Sequence, residues 1–234
     1  MLALLVIVGS LLFVTCKKQG KPQPVVKTTL LSKSVLFGGS YTNVYTYTYD
    51  DKNRVSELNS SYLSTIYKFN YDGNNNLVTT ELYDYNNQLG EVYKFSYSGN
   101  TVTVLFYDES GNRLFTKYVM TLNAMQLPET ISNEGQPILT YTYDSAGNVT
   151  NVSENGPGSP SVKYDDEKNP MSMIGAKNYF LMYFWDEINY PATIINNEVS
   201  GAQTCSYVYN ADGFPTIRNY SGSSIYMTFE YVVK

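Results

Sequence analysis

The sequence predicts an all-β protein: an antiparallel meander of about 16 to 18 short strands, strongly curved or closed into a barrel-like sheet. Three observations carry this. Alternating aromatics recur, as in Tyr45/Tyr47/Tyr49, Tyr67/Phe69/Tyr71 and Tyr93/Phe95/Tyr97, with Thr, Lys, Asn and Ser between them. Many of the runs end in an Asp followed by Gly or Asn. The unit also repeats, because Tyr49 and Tyr71 are 22 apart and Tyr143 and Tyr164 are 21 apart.

The clearest copy is Tyr141-Thr-Tyr-Asp-Ser-Ala-Gly-Asn-Val-Thr-Asn-Val152. Residues two apart in a strand share a face, so Tyr141 and Tyr143 project together and Thr140 and Thr142 project oppositely. Asp144 can accept backbone N–H groups just beyond it, and Gly147 tolerates positive φ, so the chain turns there. Taken in order, further copies begin at Tyr45, Tyr67, Leu82, Tyr93, Phe106, Tyr118, Val162, Met182 and Tyr207. Each copy fits two strands and two turns. One face of the sheet is aromatic and the other is wet, so a sheet this long must curl or close to cover its aromatic face.

Composition agrees: 24 Tyr and 10 Phe against 1 Trp, with only 16% charged residues. Residues 28–234 carry 12 basic against 21 acidic side chains, which lacks the basic footprint of nucleic-acid binding and excludes it as a partner.

Residues 1–14 are apolar apart from Ser10, too short a run to cross a bilayer as a helix and suited to a secretory signal. Phe13-Val14-Thr15-Cys16 resembles a lipoprotein signal-peptidase box, which implies a signal peptide over 1–15 and lipidation at Cys16. Residues 16–27 then read as a lipidated cysteine and flexible tether, and 28–234 as a single repetitive β domain. The implied location is the cell envelope, as an outer-membrane lipoprotein held through its N-terminal lipid. With Cys16 lipidated, Cys205 has no disulfide partner, and its alternation with Tyr207 and Tyr209 predicts a small apolar core residue.

The chain has no histidine, which excludes Ser-His-Asp and Cys-His constellations and His-ligated metals. The adjacent carboxylates Asp50/Asp51, Asp108/Glu109, Asp165/Asp166/Glu167 and Asp186/Glu187 fall at the turn position of the repeat and read as turn capping. No catalytic residue, cofactor or metal is assigned. The unusual segment is Asn178-Tyr-Phe-Leu-Met-Tyr-Phe-Trp185, which as a strand would be apolar on both faces. Either it is buried on both sides, under the Pro157–Pro160 loop or a terminal segment, or Tyr179, Tyr183 and Trp185 form an exposed platform for a sugar, lipid or partner protein.

At Tyr143-Asp-Ser-Ala-Gly-Asn-Val and Tyr107-Asp-Glu-Ser-Gly-Asn-Arg-Leu the sequence resembles the YD repeats of Rhs and teneurin proteins, which build spiralling β-shells. The whole combination is similar to small Bacteroidetes-type lipoproteins of unknown function, some with a porin-like β fold. The roughly 190 residues from 41 to 232 are too few to enclose a toxin, so encapsulation is not implied. The expected function is a non-enzymatic envelope module that binds a protein, glycan or lipid, or serves as scaffold. The alternative is a carbohydrate- or lipid-handling protein with a pocket in the curved sheet, possibly a carboxylate-dependent hydrolase.

Overall fold

The computed structural model describes residues 27–62, 64–153, 162–174, 178–184, 196–200 and 204–234. The first strands are β1 (Thr29–Phe37), β2 (Thr42–Tyr49), β3 (Val55–Ser60), β4 (Thr65–Tyr71), β5 (Leu77–Tyr83) and β6 (Leu89–Ser98). There follow β7 (Thr101–Asp108), β8 (Leu114–Leu122), β9 (Pro128–Asn133), β10 (Gln136–Tyr143) and β11 (Val149–Ser153). The last are β12 (Lys163–Lys168), β13 (Asn196–Ser200), β14 (Cys205–Tyr209), β15 (Pro215–Tyr220) and β16 (Tyr226–Val233). A 3-10 turn covers Pro170–Met173 and a short helix, α1, covers Tyr179–Tyr183.

Fourteen strands form one antiparallel sheet, in the order β11 back to β1, then β16, β15 and β14. β12 and β13 pair with each other as a separate ribbon. The expected all-β antiparallel meander is therefore what the chain forms. Alternation sets the two faces: Tyr45, Tyr47 and Tyr49 are buried while Thr42, Thr46 and Thr48 are exposed. Because successive hairpins alternate ends, the turns at 50–54, 72–76, 123–127, 144–148 and 210–214 share one end of the sheet. That end also holds the start of β1 and is called proximal; the turns at 38–41, 61–64, 84–88, 108–113 and 221–225 are distal.

The proximal turns are built alike. The Asp144 amide donates to the Asn148 carbonyl and the Gly147 amide to the Asp144 carbonyl, at 2.9 and 3.1 Å. Asp144 Oδ1 accepts from the Ala146 and Asn148 amides, both at 2.9 Å. Asp50, Asp72, Asn123 and Asn210 repeat this pattern, and so does Asp84 at a distal turn. The fourth residue of each proximal turn has positive φ: Asn53, Asn75, Gln126, Gly147 and Gly213.

Each of these proximal turns also carries a register shift just before its anchor residue, as at Asn70/Tyr71 and Thr142/Tyr143. The first carbonyl of the outgoing strand, and likewise Leu31 O of β1, lies beyond the last rung paired with the next strand, where it needs a partner. The anchor tyrosine of a neighbouring strand supplies it. Tyr49 Oη donates to Leu31 O, Tyr71 to Val55 O, Tyr97 to Leu77 O, Tyr143 to Pro128 O and Tyr231 to Pro215 O, at 2.5–2.9 Å. At Tyr49-Asp50, Tyr71-Asp72 and Tyr143-Asp144 the pair thus has two jobs: Asp makes its own turn, and Tyr ties it to the neighbour.

The sheet curls, and α1 is the measure of it. Phe180 lies 5.7 Å from Tyr67 and 4.9 Å from Tyr93, while Tyr183 lies 5.2 Å from Tyr141, ring centre to ring centre. The strands bearing those rings, β4 to β10, span roughly 29 Å in a flat sheet. A five-residue helix is only about 7.5 Å long. A flat sheet cannot meet such a helix at both ends. Its aromatic face wraps around α1, and rings from both sides join one core.

Two expectations are corrected here. Residues 179–183 form a helix rather than a strand, and the reason is the apolar character of both faces. A strand of that kind cannot join a wall whose outside is wet, whereas a helix apolar all round is stable when buried on every side. Asn178 starts it, its Oδ1 accepting from the Leu181 amide at 3.2 Å. The copy at Tyr164-Asp165 also does not turn. Its fourth position is Lys168, where the proximal turns have residues at positive φ, and β12 runs on to Asn169, which caps the 3-10 turn.

Candidate functional site

The segment singled out in the sequence lies inside the curl. Tyr179 is 1% exposed and Phe180 is 2% exposed. Tyr179 Oη donates to Gln126 O at 3.0 Å, and Tyr183 Oη shares a hydrogen bond with Tyr143 Oη at 3.1 Å. Burial pushes the Tyr179 and Tyr143 hydroxyls up to about 12 and raises Tyr183 well above its ordinary value. Asn178 Nδ2 donates to Tyr71 Oη, fixing the start of the helix to β4. A buried Tyr179 is no part of an exposed platform, because its ring is spent on packing. Trp185 and Cys16 lie outside the described residues, as do Asp186/Glu187 and the Pro157–Pro160 loop.

A second cluster sits where the β12–β13 ribbon faces β11 and β14. Tyr164 Oη donates to Val149 O at 2.6 Å, the same tie that the other anchor tyrosines make, here without a backbone ladder. Asn148 and Asn196 exchange two hydrogen bonds at 3.0 Å. On the other side Tyr207 Oη donates to Glu198 O at 2.8 Å, and Ser200 and Thr204 form one bridge. Asp165, expected on a wet loop, instead accepts from the Glu167 and Asn197 amides at 3.1 Å and from Tyr209 Oη. Its oxygens are engaged by the ribbon and by β14.

Beside that seam, Arg218 is 2% exposed on the inner face of β15. Its Nε and Nη2 donate to Cys205 Sγ at 3.3 and 3.2 Å, and Nη2 lies 3.8 Å from Glu198 Oε2. Burial raises the Glu198 carboxyl, against the pull of Arg218. Cys205 is thus buried, but beside a guanidinium rather than hydrocarbon alone. Nothing in the spacing around residue 218 marks it in the sequence.

Of the other adjacent carboxylates named from the sequence, Asp50/Asp51 and Asp108/Glu109 sit at turns. Burial pushes Asp50 up, but Arg54, at 2.6 Å, and two backbone amides outweigh it and hold it low. Asp108 is held low by the Ser110 hydroxyl and neighbouring amides.

The exposed aromatics are elsewhere. Tyr41 is 45%, Tyr62 62%, Tyr85 76%, Phe115 49% and Tyr226 36% exposed, and all five lie at or beside distal turns. Tyr41 and Tyr62 adjoin at 5.8 Å between ring centres, and Phe37 stacks on Tyr226 at 4.4 Å. The sequence reading passed over them because each resembles any other tyrosine of the chain. Their one signal is context, Gly-Gly-Ser before Tyr41 and Ser-Ser before Tyr62.

The chain matches no protein-family model, and no curated protein matches it. Among solved structures it is similar to a porin-like protein from Bacteroides uniformis, with 14% identity and a TM-score of 0.48, over 87% of this chain and 96% of that one. A porin-like protein from Bacteroides vulgatus is similar at 12% identity and a TM-score of 0.39, over 88% and 99% of the two chains. The Tc holotoxin pore of Photorhabdus luminescens is similar at 14% identity and a TM-score of 0.21, over 82% of this chain and 10% of that one. At such identities the likeness says nothing of activity.

Proposed function

We propose that this chain is a lipid-anchored cell-envelope protein, held through Cys16, that works as a non-enzymatic binding module. The observation that carries the reading is the unequal use of its two ends. At the proximal end the polar groups are consumed by turns, and α1 occupies the inner face beside them. At the distal end large aromatic rings stand in solvent. Exposed rings on a rigid frame favour recognition over scaffold alone. The apolar leader and Cys16-Lys17-Lys18 support the anchor, and the tether from Cys16 to Lys27 delivers the chain to the proximal start of β1.

Metabolic labelling with a palmitate analogue tests the anchor. The wild-type chain is expected to take up label and partition with membranes, and Cys16→Ser to lose both. An unlabelled wild-type chain, or a Cys16→Ser variant that stays labelled, would overturn it.

A further inference from the structure

We infer that the distal turns at 38–41 and 221–225, together with Ser61 and Tyr62, form a binding site for an uncharged carbohydrate chain, with Tyr41 and Tyr62 as its stacking rings. The three segments are neighbours, since their strands run β15, β16, β1, β2, β3, β4 across the sheet.

Three features distinguish this surface from incidental exposure. First, it is built. A Cβ at Gly38 would be driven into the Tyr41 ring, so glycine there lets the ring lie against the backbone. The Gly38 amide donates to Tyr41 O at 2.9 Å and closes that turn. Asn43, 3% exposed, holds the next turn: its Oδ1 accepts from the Tyr62 amide at 3.0 Å and from Ser61 Oγ at 3.3 Å. Both rings therefore stand on fixed backbone, and ordering them on binding costs little.

Second, the surface carries no charge. Residues 37–43, 59–65 and 219–227 contain no Asp, Glu, Lys or Arg. The proximal turns by contrast carry Asp50, Asp51, Lys52 and Arg54, Asp72, Asp144 and Asp212. A phosphate, an anionic headgroup or a charged peptide would find no counter-ion here. Third, the aromatic rings are interspersed with Ser40, Ser61, Ser223, Ser224 and Thr42 rather than joined in one apolar patch. A sugar ring, with an apolar C–H face and hydroxyls at its edge, matches rings set among neutral donors and acceptors.

This assignment names the ligand class for the binding-module reading and rests on it. The two fail separately, because sugar binding is measured in solution whether or not Cys16 carries lipid.

The test is isothermal titration of the full chain, in a non-glycosidic detergent, with cellohexaose, maltohexaose and chitohexaose. At least one is expected to bind with a Kd below about 1 mM. Tyr62→Ala and Tyr41→Ala should each weaken binding about tenfold or more, while the equally accessible Tyr85→Ala leaves it unchanged. Near-wild-type unfolding midpoints for the Tyr62 and Tyr85 variants show that the loss is not unfolding. Binding of none of the three sugars overturns the assignment. So does binding that Tyr41→Ala and Tyr62→Ala leave intact. Retention on phosphatidylglycerol vesicles, or a dimer that Tyr62→Ala dissolves, would assign the surface to a membrane or a second copy instead.

Discussion

The two ends of the sheet use tyrosine for opposite purposes. At the proximal end Tyr49, Tyr71, Tyr97 and Tyr143 point inward and give their hydroxyls to carbonyls left open by bulges. At the distal end Tyr41, Tyr62 and Tyr85 point outward and are largely exposed. The residue type is the same; the neighbours differ. At Tyr49, Tyr71 and Tyr143 the ring is drawn into the fold beside an Asp turn whose fourth residue has positive φ. Tyr41, preceded by Gly-Ser, and Tyr62, preceded by Ser-Ser, are set on the surface.

The comparison is sharpest where it concerns the interior. Phe180→Ala should cost about 3–5 kcal/mol, because the ring touches Tyr67, Phe69 and Tyr93 and nothing else fills its space. Urea unfolding would measure it, and a loss below about 1 kcal/mol would mean that α1 does not hold the curl. Next in size is Tyr143→Phe, which removes a buried hydroxyl and strands the Pro128 carbonyl, for about 1–2 kcal/mol. Gly147→Ala, at φ 96°, should cost a similar amount by strain in the turn.

Titration separates the two kinds of group at the proximal end. The Asn76 backbone and side chain hold Asp72 low; burial raises Asp144, but Asn148 and two further amides outweigh it. Their folded values lie below the carboxyl's ordinary 3.8, so the stability they give is full above that pH and is lost as pH falls through the folded values. The inward tyrosines run oppositely: burial raises Tyr49, Tyr71 and Tyr97 above the ordinary 10.0. Their contribution is full below pH 10 and is lost above it, as unfolded tyrosines ionise. Absorbance at the tyrosinate band, followed with circular dichroism, should show the inward rings ionising only as the sheet melts. Inward rings that titrate near 10 without unfolding would contradict their burial.

Much of the fold was legible because its rule is local. Alternation of Tyr with Thr, a closing Asp and Gly or Asn at the fourth turn position specify strand, turn and strand without reference to distant residues. What was not legible depends on partners far along the chain. The Tyr-to-carbonyl ties need bulges that composition does not reveal. The helix at Tyr179–Tyr183 has an apolar run that strand and helix share equally, and only the curl of the sheet decides between them. The Asp165 copy is the instructive near miss: Lys168 occupies the place of Gly147, and there β12 runs on to Asn169 instead of turning. The distal rings were hidden by number, since 24 tyrosines make any exposed one look ordinary.

The central claim is that the proximal end folds the protein and the distal end is free to bind. Comparing urea midpoints of two double variants tests it most directly: Asp72→Ala/Asp144→Ala at one end, Tyr62→Ala/Tyr85→Ala at the other. The Asp pair should fall well below wild type, while the Tyr pair stays within about 0.5 kcal/mol of it per residue. A Tyr pair as damaging as the Asp pair would mean that the distal rings are structure, and that the division between the ends does not exist.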